Sequence, residues 1–164
     1  MADLDFYEID TNYLQYLKQI DSSVPHYSYN THDKFFCGIV TKMNGFQYFA
    51  PISSFKQQQA TNLVIKNSDG VNIASIRFCF MVPADDSVLK IKDFKLENDA
   101  KYVGLLSTEL TFCRQHELRI QEKAKRVYQF GVDSTHTQYK NCCDFLALEQ
   151  AANQYVKVDL AIQK

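Results

Sequence analysis

The chain has 164 residues, enough for one domain that buries roughly two-thirds of its unfolded surface in a single core. With 46% hydrophobic residues and no low-complexity tract, the composition excludes a disordered protein, and no apolar run reaches membrane-spanning length. A formal net charge of -1 argues against indiscriminate nucleic-acid binding, and the acidic opening Met1-Ala2-Asp3-Leu4-Asp5 is unlike a secretory signal. The reading is therefore one domain over residues 1–164 of a cytoplasmic protein, with residues 156–164 either folded onto it or trailing as a tail.

Phe6-Tyr7-Glu8-Ile9 reads as a short strand, after which Asp10 or Thr11 caps a helix with Tyr13, Leu14, Leu17 and Ile20 on one apolar stripe. Residues 22–34 carry Pro25, His26, Tyr27, Tyr29, His32 and Asp33 without apolar periodicity, which predicts a long loop. Phe35-Phe36-Cys37-Gly38-Ile39-Val40 is an apolar strand, and Asn44-Gly45 before Phe46-Gln47-Tyr48-Phe49 predicts a tight hairpin. The second strand is expected to stop at Pro51 and to present Ser53, Ser54 and Lys56 on a loop. Hairpin ends lie side by side, so Lys34 and Tyr29 come within reach of Ser54 and Lys56.

Asn67-Ser68-Asp69-Gly70 reads as a turn, and residues 71–82 as one long buried strand ended by Pro83. Residues 88–91 suggest another strand. From about Asp99 the period becomes helical: Val103, Leu106, Leu110 and Cys113 share one face, and Ile120, Ala124 and Val127 the face of a second helix. A last helix runs from about Cys143 through Leu146, Leu148 and Ala152. Strands gathered early and helices late make an α+β pattern.

Two features carry chemistry. Serine hydroxyls beside a lysine on a loop after a rigid strand can bind phosphate and perturb one another's proton affinity, although Ser-Ser-x-Lys alone is also an ordinary polar turn. Residues 114–140 hold Arg114, Arg119, Lys123, Lys125, Arg126 and Lys140 against Glu117, Glu122 and Asp133, a basic face that reads equally as a solvated helix with Glu122 and Arg126 paired at i,i+4. The five cysteines, with Cys142 and Cys143 adjacent, do not form a disulfide framework and read as reduced thiols. A zinc site can be assembled on paper from Cys113, His116, His136, Cys142 and Cys143, but paired ligand spacing is missing and buried free thiols are the simpler account.

Several segments, in order, resemble the endoribonuclease toxins of type III toxin–antitoxin systems, the ToxN/AbiQ/CptN family. The opening strand with Tyr13-Leu14-Gln15-Tyr16-Leu17-Lys18 looks like the family's opening. Lys34-Phe35-Phe36-Cys37-Gly38-Ile39-Val40 is similar to its Lys-x-Phe-x-Gly-Ile-Val, and Tyr48-Phe49-Ala50-Pro51-Ile52-Ser53-Ser54-Phe55-Lys56 to its Tyr-x-Ala-Pro-x-(Thr/Ser)-Ser-x-Lys. Phe80-Met81-Val82-Pro83, residues 105–114 and Phe145-x-x-Leu148-Glu149 fall in the same order.

The resemblance implies a MazF/Kid-like extended barrel, a strongly bent antiparallel sheet with surrounding helices. It also implies a metal-independent ribonuclease that leaves a 2′,3′-cyclic phosphate and a 5′-hydroxyl. No cofactor is implied. The implied partners are a small structured repeat RNA, a pseudoknot that the toxin trims and holds in a closed protein–RNA assembly, and cellular or phage RNA as substrate; the outcome is growth arrest or aborted phage infection.

By position the catalytic serine falls on Ser54, the loop lysine on Lys56, the preceding hydroxyl on Ser53 and the lysine before the Gly-Ile-Val strand on Lys34. The loop tyrosine falls on Tyr29, with Tyr27 the alternative, and Phe55 stands where some members have proline. The cations Arg114, Arg119, Lys123, Lys125 and Arg126 become candidate RNA contacts. A non-catalytic RNA-binding module on the same barrel, or a barrel that binds protein segments in an aromatic groove, are the competing readings.

Overall fold

The computed structural model describes residues 4–26 and 34–162, with side chains through Tyr155. Strand β1 (Asp5–Ile9) leads into helix α1 (Thr11–Ile20), whose start is fixed by the Asp10 carboxylate accepting from the backbone N–H groups of Asn12 and Tyr13. Tyr13, Leu14 and Leu17 are buried as the stripe requires. Ile20, the terminal residue of the helix, is instead 47% exposed.

Strands β2 (Phe36–Met43) and β3 (Phe46–Ser53) form the expected hairpin. Asn44 and Gly45 both have positive φ, 55° and 83°, the two-residue turn whose twist matches that of paired strands. The register slips between Gly38 and Thr41. At Gly38 a Cβ would stand 2.2 Å from Phe49 Cδ1, so only glycine lets that buried ring close over the strand.

Strand β3 does not stop at Pro51. The far edge of β3 pairs with β6 (Val82–Pro83) through Tyr48 and Phe49, and with β5 (Asn72–Arg77) through Ile52 and Ser53. Pro51 falls in the gap between these two partners, where its missing N–H forfeits no ladder bond. Residues 71–82 are likewise not one strand: β5 ends at Arg77, a 3₁₀ turn spans Phe78–Phe80, and β6 follows with Pro83 inside it. The break lets one segment serve two stretches of β3. Strand β4 (Asn62–Lys66) pairs β5, and β7 (Leu89–Ile91) pairs β1.

The result is a seven-stranded antiparallel sheet in the order β4-β5-β3-β2-β1-β7, with β6 also on β3. It is α+β as expected, but among the described residues the sheet is open rather than closed into a barrel. Helices α2 (Ala100–Gln115), α3 (Glu117–Val132) and α4 (Phe145–Ile162) follow. Helix α2 packs on β4 and β1, α3 on β2 and β4, and α4 on α1 and β6. Leu106 and Cys113 are buried on α2 with Phe112 and Glu109, so the buried face is rotated from the predicted one and includes a carboxylate. Tyr48, Phe6, Phe36, Phe49, Phe78 and Phe145 are the large aromatic side chains of the core. Among the described residues no helix is long and apolar enough to cross a membrane.

Candidate active site

Because β3 continues past the proline, Ser53 is its last residue and Ser54 the first of the following loop. The Ser53 hydroxyl accepts from the Phe55 N–H at 3.2 Å, a local turn that leaves Ser54 and Lys56 exposed. Beyond Lys56 the loop is pinned from inside. Buried Asn62 donates to the Gln57 carbonyl at 2.9 Å and accepts from the Gln59 N–H at 2.7 Å, while Asn72 donates to the Lys56 carbonyl at 3.2 Å. The Gln58 side chain is used entirely within the fold, donating to Asn62 and accepting from the Val64 N–H at 3.1 Å. The hydroxyls and the lysine are thus held on a short, ordered support.

Lys34 meets the same strand end: its Nζ donates to the Ile52 carbonyl at 2.9 Å. Burial, and then the Arg77 guanidinium nearby, bring the Lys34 ammonium down to about 8. Arg77 was not among the predicted residues. Its guanidinium carbon lies 4.7 Å from the Phe55 ring centroid and 5.1 Å from that of Phe80, and its Nε is buried with no hydrogen-bond partner among the described residues. The signal for it was present, a lone charge in the apolar run from Ala74 to Val82. Tyr29 and the alternative Tyr27 lie outside the described residues, as does His32. His26 is exposed.

The predicted basic residues divide. Arg119, Lys123 and Arg126 line one groove of about 430 Å³ with Gln58 and Gln59, residues of the loop that begins at Ser54. Burial, then Arg126 and Arg119, push the Lys123 ammonium down, and the Glu122 carboxylate lines the same groove. Lys125 and Arg126 border a second groove of about 790 Å³ that also touches Tyr7, Gly38 and Lys42. Arg114 stands apart in role: its Nε donates to the Leu4 carbonyl at 2.8 Å and its Nη2 lies 3.8 Å from Asp5 Oδ2, fastening α2 to β1.

All five cysteines are free thiols. His116 lies against Phe112 and His136 stacks on Phe130 at 4.1 Å. Among the described residues no group of three His, Cys, Asp or Glu side chains is placed to hold a metal ion.

The chain is similar to known proteins in sequence and in fold. The family model described as "Toxin ToxN, type III toxin-antitoxin system" matches residues 5–153. The endoribonuclease ToxN of Bacillus thuringiensis subsp. kurstaki is 27% identical, over 97% of this chain and 88% of the relative, and the endoribonuclease AbiQ of Lactococcus lactis subsp. lactis is 27% identical, over 94% and 90%. Among solved structures, a chain from work on selective toxin inhibition by a non-coding RNA pseudoknot superposes with a TM-score of 0.84 at 25% identity, covering 94% of this chain and 98% of its own length. AbiQ, a lactococcal anti-phage endoribonuclease of a type III system, superposes with a TM-score of 0.84 at 22% identity, over 95% of this chain and 99% of its own. The chain belongs to the ToxN family of type III toxin–antitoxin toxins.

Proposed function

We propose that this protein is the toxin of a type III toxin–antitoxin system and an endoribonuclease whose reaction takes place on the loop from Ser53 to Lys56. The observation that carries the reading is the Lys34 ammonium bonded to the Ile52 carbonyl at the root of the loop that bears Ser53, Ser54 and Lys56, a loop whose Gln58 and Gln59 line a groove with Arg119, Lys123 and Arg126. The relatives' activity and the non-coding RNAs of the solved systems support the same substrate class.

In the reaction the RNA 2′-oxygen attacks phosphorus. The 2′-hydroxyl releases its proton to water, the O2′–P bond forms, the P–O5′ bond breaks, and the products are a 2′,3′-cyclic phosphate and a 5′-hydroxyl. Lys56 and Lys34 neutralise the non-bridging oxygens as charge builds, a preorganised role worth of order 2.7–4 kcal/mol per strong donor. With that positive charge supplied by the chain itself, the step calls for neither metal nor cofactor. Ser54 orients the phosphate or the 2′-hydroxyl, and Ser53 shapes the turn beneath it. Lys34, with a proton affinity brought near neutrality, gives the departing 5′-oxygen its proton. Tyr29 stacks on or hydrogen-bonds a base.

Arg119, Lys123, Lys125 and Arg126 track the RNA backbone away from the loop. A small structured repeat RNA, a pseudoknot cut from its precursor by the toxin and held in a closed assembly, occupies this surface as antitoxin, and cellular or phage RNA replaces it when the toxin is free. Residues 1–164 act as one cytoplasmic domain, its bent sheet a MazF/Kid-like extended barrel left open on one side. Incubation of RNA with the purified protein in chelator tests the reading: cyclic-phosphate and 5′-hydroxyl ends support it, and intact RNA contradicts it.

A further inference from the structure

Arg77 has no part in the chemistry just described, yet it touches two of its components. It closes β5, where it stands opposite Asn62 of β4. That single rung therefore carries two of the loop's anchors: Asn62 holds residues 57–59 by hydrogen bonds, and Arg77 lies over the Phe55 ring. Phe80, from the 3₁₀ turn that follows, also lies at stacking distance from the guanidinium. A planar, delocalised cation suits such a place; a lysine would supply charge without a surface to stack on.

The location is expensive unless it serves something. The Arg77 Nε is buried without a hydrogen-bond partner among the described residues, and a second cation, Lys34, is near enough for the two charges to oppose one another. Lys34 is faced by the Ile52 carbonyl from β3 and by the Arg77 guanidinium from β5. The Cys79 thiol is a further hydrogen-bonding neighbour of the guanidinium.

We infer that Arg77 is a positioning residue of the site: stacked between Phe55 and Phe80, it fixes the loop that carries Ser54 and Lys56 and sets a permanent positive charge beside Lys34. Its catalytic consequence rests on the ribonuclease reading, whereas its effects on Phe55 and Lys34 do not.

The experiment compares the full chain with Arg77→Gln, which loses charge and fork, and Arg77→Lys, which keeps charge and loses the stack. Two readouts are independent of catalysis, the Lys34 titration followed by NMR of labelled lysine and the hydrogen-exchange protection of the Phe55 amide. Arg77→Gln is expected to move the Lys34 midpoint upward by about half a pH unit or more, and Arg77→Lys to leave it in place. Both are expected to lower Phe55 protection, and to lower kcat on RNA about tenfold or more with KM within about twofold.

A folded Arg77→Gln protein with an unmoved Lys34 midpoint and unchanged Phe55 protection overturns the inference, as does wild-type kcat in both variants. Should Arg77→Gln fail to fold, Phe55→Leu removes the stack from the loop side: lowered kcat with an unmoved Lys34 midpoint supports the clamp, and wild-type kcat refutes it. If the unmodified protein cleaves no RNA, the ribonuclease reading fails, and the two NMR readouts still decide the role of Arg77.

Discussion

The ammonium of Lys34 is tied to the carbonyl of Ile52 at 2.9 Å, one residue before the hydroxyls of the loop. This bond places the cation at the root of the loop, and burial, then the Arg77 guanidinium beside it, lower its proton affinity. Lys34 sits at about 8 in the folded chain against an ordinary value of 10.5. As proton donor it must be charged, so cleavage is expected to fall as pH rises past about 8. Lys34→Arg keeps the charge but cannot release its proton near neutrality; a slower enzyme without the decline near pH 8 is expected in rate profiles. For stability the sign is the reverse of the usual lysine case. The unfolded chain binds the extra proton between pH 8 and 10.5, so the cost of burying this cation is full below pH 8 and is relieved as pH rises through that window.

The split among the basic residues gives a second prediction. Arg119, Lys123 and Arg126 share a groove with the loop, so each replaced by Ala should weaken RNA binding and reduce the slope of log affinity against log salt by roughly 0.7 per lost phosphate contact. Arg114→Ala should leave that slope unchanged and lower the unfolding midpoint instead, because its partners are Leu4 and Asp5. Filter binding over a salt series and urea unfolding of the same four variants separate the two outcomes.

Glu109 supplies the third. It is 3% exposed on the inner face of α2 with Oε2 unpartnered among the described residues, and burial pushes its carboxyl up to about 7. The folded chain therefore holds a proton that the unfolded chain releases between pH 4.5 and 7. The contribution of this group is most favourable below that window and is lost as pH rises through it, at a cost of order 3 kcal/mol above it. Glu109→Gln, which keeps the shape and removes the charge, should match the parent near pH 4.5 and exceed its stability at pH 8. Equal urea midpoints at both pH values would contradict the assignment.

Much of this site could be read from the chain because its signals are local. The Asn44-Gly45 pair demands positive φ, which fixed the hairpin and hence the meeting of Lys34 with the end of β3. Helix α1 was legible through Asp10, and the faces of α3 through Ile120, Ala124 and Val127. The signals that failed depend on partners distant in sequence. Pro51 looked like a strand end, but the change of neighbour from β6 to β5 spares it the ladder bond it cannot make. The apolar run through Val82 contains no glycine or internal proline to announce the 3₁₀ turn at Phe78–Phe80; the break comes from β3 needing two partners. Glu109 was passed over because a carboxylate is not expected on a buried face, and Arg114 was grouped with the α3 cations because sequence proximity does not reveal the Leu4 carbonyl. Arg77 acquires its role only when Phe55 and Phe80 close over it.

The most direct test of the account is Ser54→Ala beside the unmodified protein, with RNA affinity and RNA cleavage measured on the same samples in chelator. Ser54→Ala is expected to bind RNA within about twofold of the parent but to produce no cyclic-phosphate ends, since an exposed loop hydroxyl contributes to the reaction and little to the fold. Undiminished cleavage by folded Ser54→Ala would place the chemistry elsewhere. RNA binding by both proteins with no cleavage by either would make this chain an RNA-binding module rather than a ribonuclease.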